Sequence, residues 1–263
     1  MKITHSLVIA VGAVSSVVVP AAAADETVPL AAPEIRIDGA SEQRGWYLRG
    51  DVGYGLWRDA GTPQHTGAQG VSTSFDEARF GRPVAGAIGV GYRVNDIFRA
   101  DITGELFASK MDGTIDVAEP CSGSTVSGTT CSYGGEADFH AYGLMLNGYI
   151  DIANVVGFTP YVGAGIGMMR VVWDDFSGAA ACSGVACGTD DTTSVLQNGE
   201  SSWRFSYALM AGVTYALTDR LKLDVGYRYS DIAGGPMFRS AAGDAEDDGI
   251  RRHEVRVGLN LSF

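Results

Sequence analysis

The chain has 263 residues, with 31 acidic and 19 basic side chains and a formal charge of −12 at pH 7. That balance argues against nucleic acid as a partner, because phosphate binding needs clustered Lys and Arg. Mean hydropathy is +0.06, and beyond the N-terminus no segment approaches the roughly 18 unbroken apolar residues of a spanning helix. A membrane barrel would keep that modest average, since only every second residue of its strands faces lipid.

Residues 1–24 have the layout of a cleavable export signal: Lys2 at the start, an apolar run over 6–19, and small residues 20–24 before Asp25. The run is too short for a spanning helix, which needs roughly 20 residues. Residues 25–44, which bear prolines, read as a periplasmic N-terminal arm, and 45–263 as one outer-membrane domain.

From residue 46 the chain alternates with period two in segments separated by turns. The first, 46–56, sets Trp46, Leu48, Val52, Tyr54 and Leu56 against Tyr47, Arg49, Asp51 and two glycines. The second, 84–93, sets Val84, Ile88, Val90 and Tyr92 against alanines, glycines and Arg93, and 94–97 follows as a tight turn. The third, 98–108, opposes Phe98, Ile102 and Leu106 to Arg99, Asp101 and Glu105. The fourth, 139–150, puts Tyr142, Leu144, Leu146 and Ile150 outward and Met145, Asn147 and Tyr149 inward. The fifth, 159–171, places Pro160 where a strand start tolerates it. The sixth covers 203–217, the seventh begins at Leu221, and the eighth ends at Phe263. The expected fold is therefore all-β: a transmembrane, eight-stranded, antiparallel, up-and-down β-barrel.

Three connections are short, near residues 95, 155 and 219, and four are long, roughly 58–82, 110–137, 172–202 and 231–251. Outer-membrane barrels sort their loops this way, with short turns toward the periplasm. Aromatics gather toward strand ends: Trp46, Tyr92, Phe98, Tyr149, Phe158, Tyr161 and Tyr215 at one, Trp57, Trp203, Phe205, Tyr227 and Tyr229 at the other. Such girdles suit the membrane interfaces, though β-propensity enriches the same residues.

The inward positions carry Arg49, Asp51, Arg93, Arg99, Asp101, Glu105, Arg204, Lys222, Asp224, Arg228, Glu254 and Arg256. Buried charges must pair or their desolvation costs several kcal/mol. The pattern fits an internal salt-bridge network that plugs the lumen, and also a narrow path for ions or small solutes lined by those charges.

The cysteines form two close pairs, Cys121/Cys131 and Cys182/Cys187. Four cysteines in an exported chain allow three disulfide connectivities, and loop closure favours pairing within each loop. A zinc site is disfavoured, since neither pair has the spacing of a zinc motif. The acidic stretches Asp174-Asp175, Asp190-Asp191 and Asp244-Ala245-Glu246-Asp247-Asp248 lack an ordered calcium-loop spacing and read as solvated loops. No cofactor or metal is expected. Catalysis is not expected either: His253 and Glu254 face opposite sides of one strand, and His140 has Asp138 on its face but no serine two residues on.

The segments 45–54 (GWYLRGDVGY), 160–167 (PYVGAGIG) and 223–229 (LDVGYRY), with the terminal Phe263, resemble OmpA-like eight-stranded barrels, above all the major surface-exposed outer-membrane proteins of Alphaproteobacteria. The spacing Arg256, Gly258, Leu261, Phe263 likewise resembles the C-terminal signal read by barrel-assembly machinery. The resemblance implies roles in envelope integrity, surface contact through loops with host or surface ligands, contact with outer-membrane lipid and lipopolysaccharide, and sometimes slow solute passage. It departs from OmpA in that no peptidoglycan-binding domain follows the eighth strand, which leaves residues 25–44 as the expected route to any wall contact.

Overall fold

A computed structural model describes residues 44–56, 63–67, 72–117, 130–183, 192–240 and 243–263. Residues 1–43, and with them the expected export signal and most of the arm, lie outside this set, as do Trp57, Cys121, Cys187, Asp190 and Asp191. The strands in chain order are β1 (Gly45–Gly55), β2 (Gln64–Gly67), β3 (Ser72–Ser74), β4 (Glu77–Phe80) and β5 (Val84–Arg93). They continue as β6 (Phe98–Val117), β7 (Thr130–Asp151), β8 (Phe158–Trp173), β9 (Phe176–Ser183) and β10 (Thr192–Gly199). The last are β11 (Ser201–Ala216), β12 (Leu221–Ile232), β13 (Gly235–Ser240), β14 (Gly243–Asp247) and β15 (Ile250–Ser262).

Eight of these, β1, β5, β6, β7, β8, β11, β12 and β15, pair antiparallel in that order, and β15 returns to β1 through Leu48↔Leu261 and Val52↔Val257. The ring is closed, so no barrel strand presents a free edge. The alternation read from the sequence is the alternation of burial. Ile88, Leu106, Leu144, Leu146 and Ile166 are all more than half exposed, whereas Met145, Asn147 and Tyr149 are almost fully buried. A continuous exposed apolar wall enclosing a charged interior is the inverse of a water-soluble protein and matches a strand bundle solvated by lipid.

The three short turns have local causes. Asn95 Oδ1 accepts hydrogen bonds from the amides of Ile97 (2.9 Å) and Phe98 (2.7 Å). Thr218 Oγ1 does the same for Arg220 (3.3 Å) and Leu221 (3.0 Å). Between β7 and β8, Val155 and Phe158 bridge a two-residue loop in which Val156 (φ 52°) and Gly157 (φ 84°) are both left-handed. That is the dihedral pattern of a type I′ turn, favourable for Gly157 and costly for the β-branched Val156.

The described residues of the long connections are largely strands. β6 and β7 stay paired as far as Val117↔Cys131, well past residues 108 and 139 where the alternation in the sequence fades. β2, β3, β9, β10, β13 and β14 extend the sheet at the same end, and β4 lies against β6. Beyond the lipid no apolar outward row is needed, so Gly, Ser, Thr and Ala fill these strands and the period-two signal disappears, while ladder bonding still satisfies the backbone.

Candidate functional site

Charged side chains line the lumen, and most of them meet a partner of opposite sign. Six arginines (Arg49, Arg93, Arg99, Arg228, Arg252, Arg256) and six carboxylates (Asp51, Asp101, Glu105, Asp151, Asp224, Glu254) are buried on the barrel strands, besides Arg204 near the long connections. Nearest the short turns, Asp151 accepts from Arg93 (3.0 Å) and Arg99 (3.1 Å), and the Arg99 guanidinium lies 4.1 Å and 4.7 Å from the ring centres of Tyr149 and Tyr161. Next along the axis, Arg49 grips Asp51 with two bonds of 2.8 Å and donates to Asp101 (2.9 Å) and the Tyr149 hydroxyl (2.6 Å). Asp101 also accepts from Tyr47 (3.0 Å) and Asn147 (2.8 Å), and Asp224 from Tyr161 (2.8 Å).

A second cluster sits above the first. Glu105 receives Arg228 (2.8 Å) and Arg256 (3.3 Å), while Glu254 receives Arg256 (2.9 Å) and Arg252 (3.3 Å). The Arg252 guanidinium then rests 3.9 Å from the Phe107 ring centre, where polar interior gives way to apolar. Inward glycines make room for the tyrosines. A Cβ at Gly91 would lie 2.2 Å from Tyr47 Cζ, and one at Gly212 would lie 2.7 Å from the Tyr161 hydroxyl.

Above Arg252 the barrel is filled by Phe107, Met111, Phe139, Trp173, Phe176, Met237 and Phe238, all buried. Phe139 stacks on Trp173 at 4.4 Å, and Phe238 packs edge-on to Trp173 at 5.4 Å. This apolar layer joins barrel strands to β9 and β13, so it closes the lumen at the end bearing the long connections. Arg204, expected in the lumen network, belongs to this end instead. Its Nη1 donates to both Asp247 oxygens (2.8 and 2.6 Å), Nη2 to the Pro236 carbonyl (2.7 Å) and Nε to Ser202 (2.9 Å). Asp247 is therefore buried, although its acidic stretch reads as a solvated loop; Asp244, Glu246 and Asp248 are indeed exposed. Burial pushes the Asp247 carboxyl above its ordinary value, and Arg204 works against that rise.

Lys222 is half-buried on β12 opposite Asn260. Tyr149 and Tyr161, grouped with the girdle in the sequence, point into the lumen. Trp46, Tyr92, Phe98, Phe158 and Tyr215 do form an exposed girdle at the short-turn end, with Trp46 on Tyr92 at 5.2 Å and Phe158 on Tyr215 at 4.5 Å. Sequence reasoning missed Asp151 and Arg252, and it placed Tyr47 and Tyr149 on the inward face without giving them partners. The signal was present: each acid or arginine lies one more alternating step beyond the strand end chosen, after Tyr149 and before Glu254. Of the C-terminal residues, Arg256 serves the lumen network, Gly258 faces Asp51, and Leu261 and Phe263 are exposed on the outer wall. Asp138 meets Lys110 at 3.4 Å on the exposed face. Cys131 and Cys182 are register partners of β7 and β9.

Comparison with known proteins agrees with this geometry. The family model described as "outer membrane protein beta-barrel domain" matches residues 9–263. An uncharacterised protein of Brucella abortus is 34% identical over 248 residues, covering 83% of this chain and 85% of its own. A Rickettsia bellii protein provisionally named an adhesin is 27% identical over 224 residues, covering 83% and 88% respectively. Among solved structures, OprG from Pseudomonas aeruginosa has a TM-score of 0.51 at 12% identity, covering 84% of this chain and 97% of that one. The chain belongs to the outer membrane β-barrel protein family, and it is an integral protein of the Gram-negative outer membrane.

Proposed function

We propose that this protein is a non-catalytic surface-interaction protein: a barrel made rigid by its internal charge network, holding a structured β-crown outside the cell for contact with another surface. The observation that carries this reading is the closure of the lumen by Phe139, Trp173 and Phe238 beneath strands that run on past the membrane. A pathway for solutes would waste that layer; a display scaffold uses it, because the layer anchors the crown to the barrel. The likeness to a Rickettsia protein named for adhesion supports the same reading. On this view residues 1–24 are removed on export, and the alternating C-terminal strand ending at Phe263 is what barrel-assembly machinery recognises.

The test is attachment. A laboratory strain that lacks adhesins would express either the whole protein or a version in which residues 111–136 are replaced by a short turn. The whole protein is expected to raise attachment to cultured animal cells several-fold, and the crown-shortened version to lose that gain while remaining heat-modifiable. Attachment no better than vector alone, with folded protein at the surface, would reject the reading.

A further inference from the structure

The outward face of β8 is apolar from the short-turn girdle upward: Val162, Ala164, Ile166 and Met168 precede Arg170, the first charged residue on that face. Twelve steps separate Phe158 from Arg170. At about 3.3 Å per residue and a tilt of about 40°, the rise is about 30 Å, which carries Arg170 from the inner interface to the headgroup level of the outer leaflet. Its cross-strand partners are aromatic, Tyr142 on β7 and Trp203 on β11. The guanidinium lies 6.0 Å from the Trp203 ring centre and donates through Nη2 to Ser201 Oγ at 2.8 Å. Tyr142 packs edge-on to Trp203 at 6.4 Å, and His140 lies parallel to Tyr142 at 6.3 Å. Below them Leu144, Met168 and Phe205 are 63%, 45% and 50% exposed.

Two other cations at this height are neutralised within the protein. Lys110 meets Asp138 at 3.4 Å, and Arg251 meets Asp231 at 3.8 Å and Asp248 at 4.0 Å. Among the described residues, no carboxylate lies within 4.0 Å of Arg170. A partly exposed guanidinium at headgroup level with no acid partner in the protein can take an external anion, and guanidinium matches phosphate with two parallel bonds.

We infer that Arg170, Trp203, Tyr142 and His140 form a seat on the outer wall for a phosphorylated, acylated glycolipid of the outer leaflet. The phosphate is placed on Arg170, the sugar ring on the aromatic faces and an acyl chain on the Met168 rung. The inference rests on the outward orientation of the crown-bearing end, not on adhesion. The occupant is a glycolipid because the seat lies in the outer leaflet and presents flat aromatic faces at sugar height.

Native mass spectrometry of the refolded full chain in detergent, mixed with diphosphorylated hexa-acyl lipid A or the same lipid after enzymatic dephosphorylation, tests it. Wild type is expected to retain the phosphorylated form preferentially, and Arg170→Ala to cut that retention about fivefold. Arg170→Lys should recover much of the loss, and Arg239→Ala, a crown cation already facing Glu200 and Asp244, should change nothing. Heat-modifiability on gels confirms the folded barrel in each case. Equal retention of both lipids by wild type, or undiminished retention by Arg170→Ala, overturns the seat and leaves the attachment result untouched.

Discussion

Asp101 on β6 takes hydrogen bonds from Tyr47 and Arg49 of β1 and from Asn147 of β7, and its carboxylate is buried. Removing one partner of such a buried cluster leaves the others uncompensated, which costs about 3–5 kcal/mol. Asp101→Ala is accordingly expected to lower the free energy of unfolding, read from urea titration in detergent, by that amount; a value equal to wild type would show that the network contributes little. Val156 offers the opposite case. Its left-handed φ costs a β-branched residue about 1 kcal/mol, and Asn followed by Gly suits a type I′ turn. Val156→Asn should therefore raise the same unfolding free energy by about 1 kcal/mol, and a fall would mean that the turn adopts other dihedrals in solution. The charged lining was legible at this scale because period-two alternation assigns a face to each residue. Which arginine meets which acid was not legible, since Glu105 and Arg256 lie 151 residues apart and meet only after closure.

Within each barrel strand the readable part ends where lipid ends. The segment 84–93 was read at its full observed length as β5, because both faces obey the membrane rule throughout. β6 and β7 run well beyond the segments 98–108 and 139–150, since strands in water obey no such rule on their outer face. The register of the crown suggests a cysteine pairing to test. Cys131 and Cys182 stand opposite each other in the β7/β9 ladder. Directly opposed antiparallel residues have Cα atoms about 4.5–5.5 Å apart, inside the disulfide range. Peptide mapping of unreduced protein from native envelopes is expected to recover a fragment joining Cys131 to Cys182, leaving Cys121 for Cys187. A fragment joining Cys121 to Cys131 would instead support pairing within each loop, and free thiols throughout would reject both.

For the molecule as a whole, the sequence left two readings of the interior open, a salt-bridge plug and a conducting path. They differ in pairing geometry and in what lies above it. Alternation announces inward charges, but it is silent on an apolar seal assembled from Phe107, Phe139, Trp173, Met237 and Phe238, contributed by β6, β7, β8 and by β13, which lies in a connection that appeared as loop. With the charges paired and the crown end sealed, the barrel acts as a support for its outer surface. Single-channel recording of refolded, heat-modifiable protein in a planar bilayer tests this most directly. Wild-type protein is expected to leave the membrane silent. Reproducible conductance steps that change when Arg228 is replaced by Gln would contradict it and make the lumen a path.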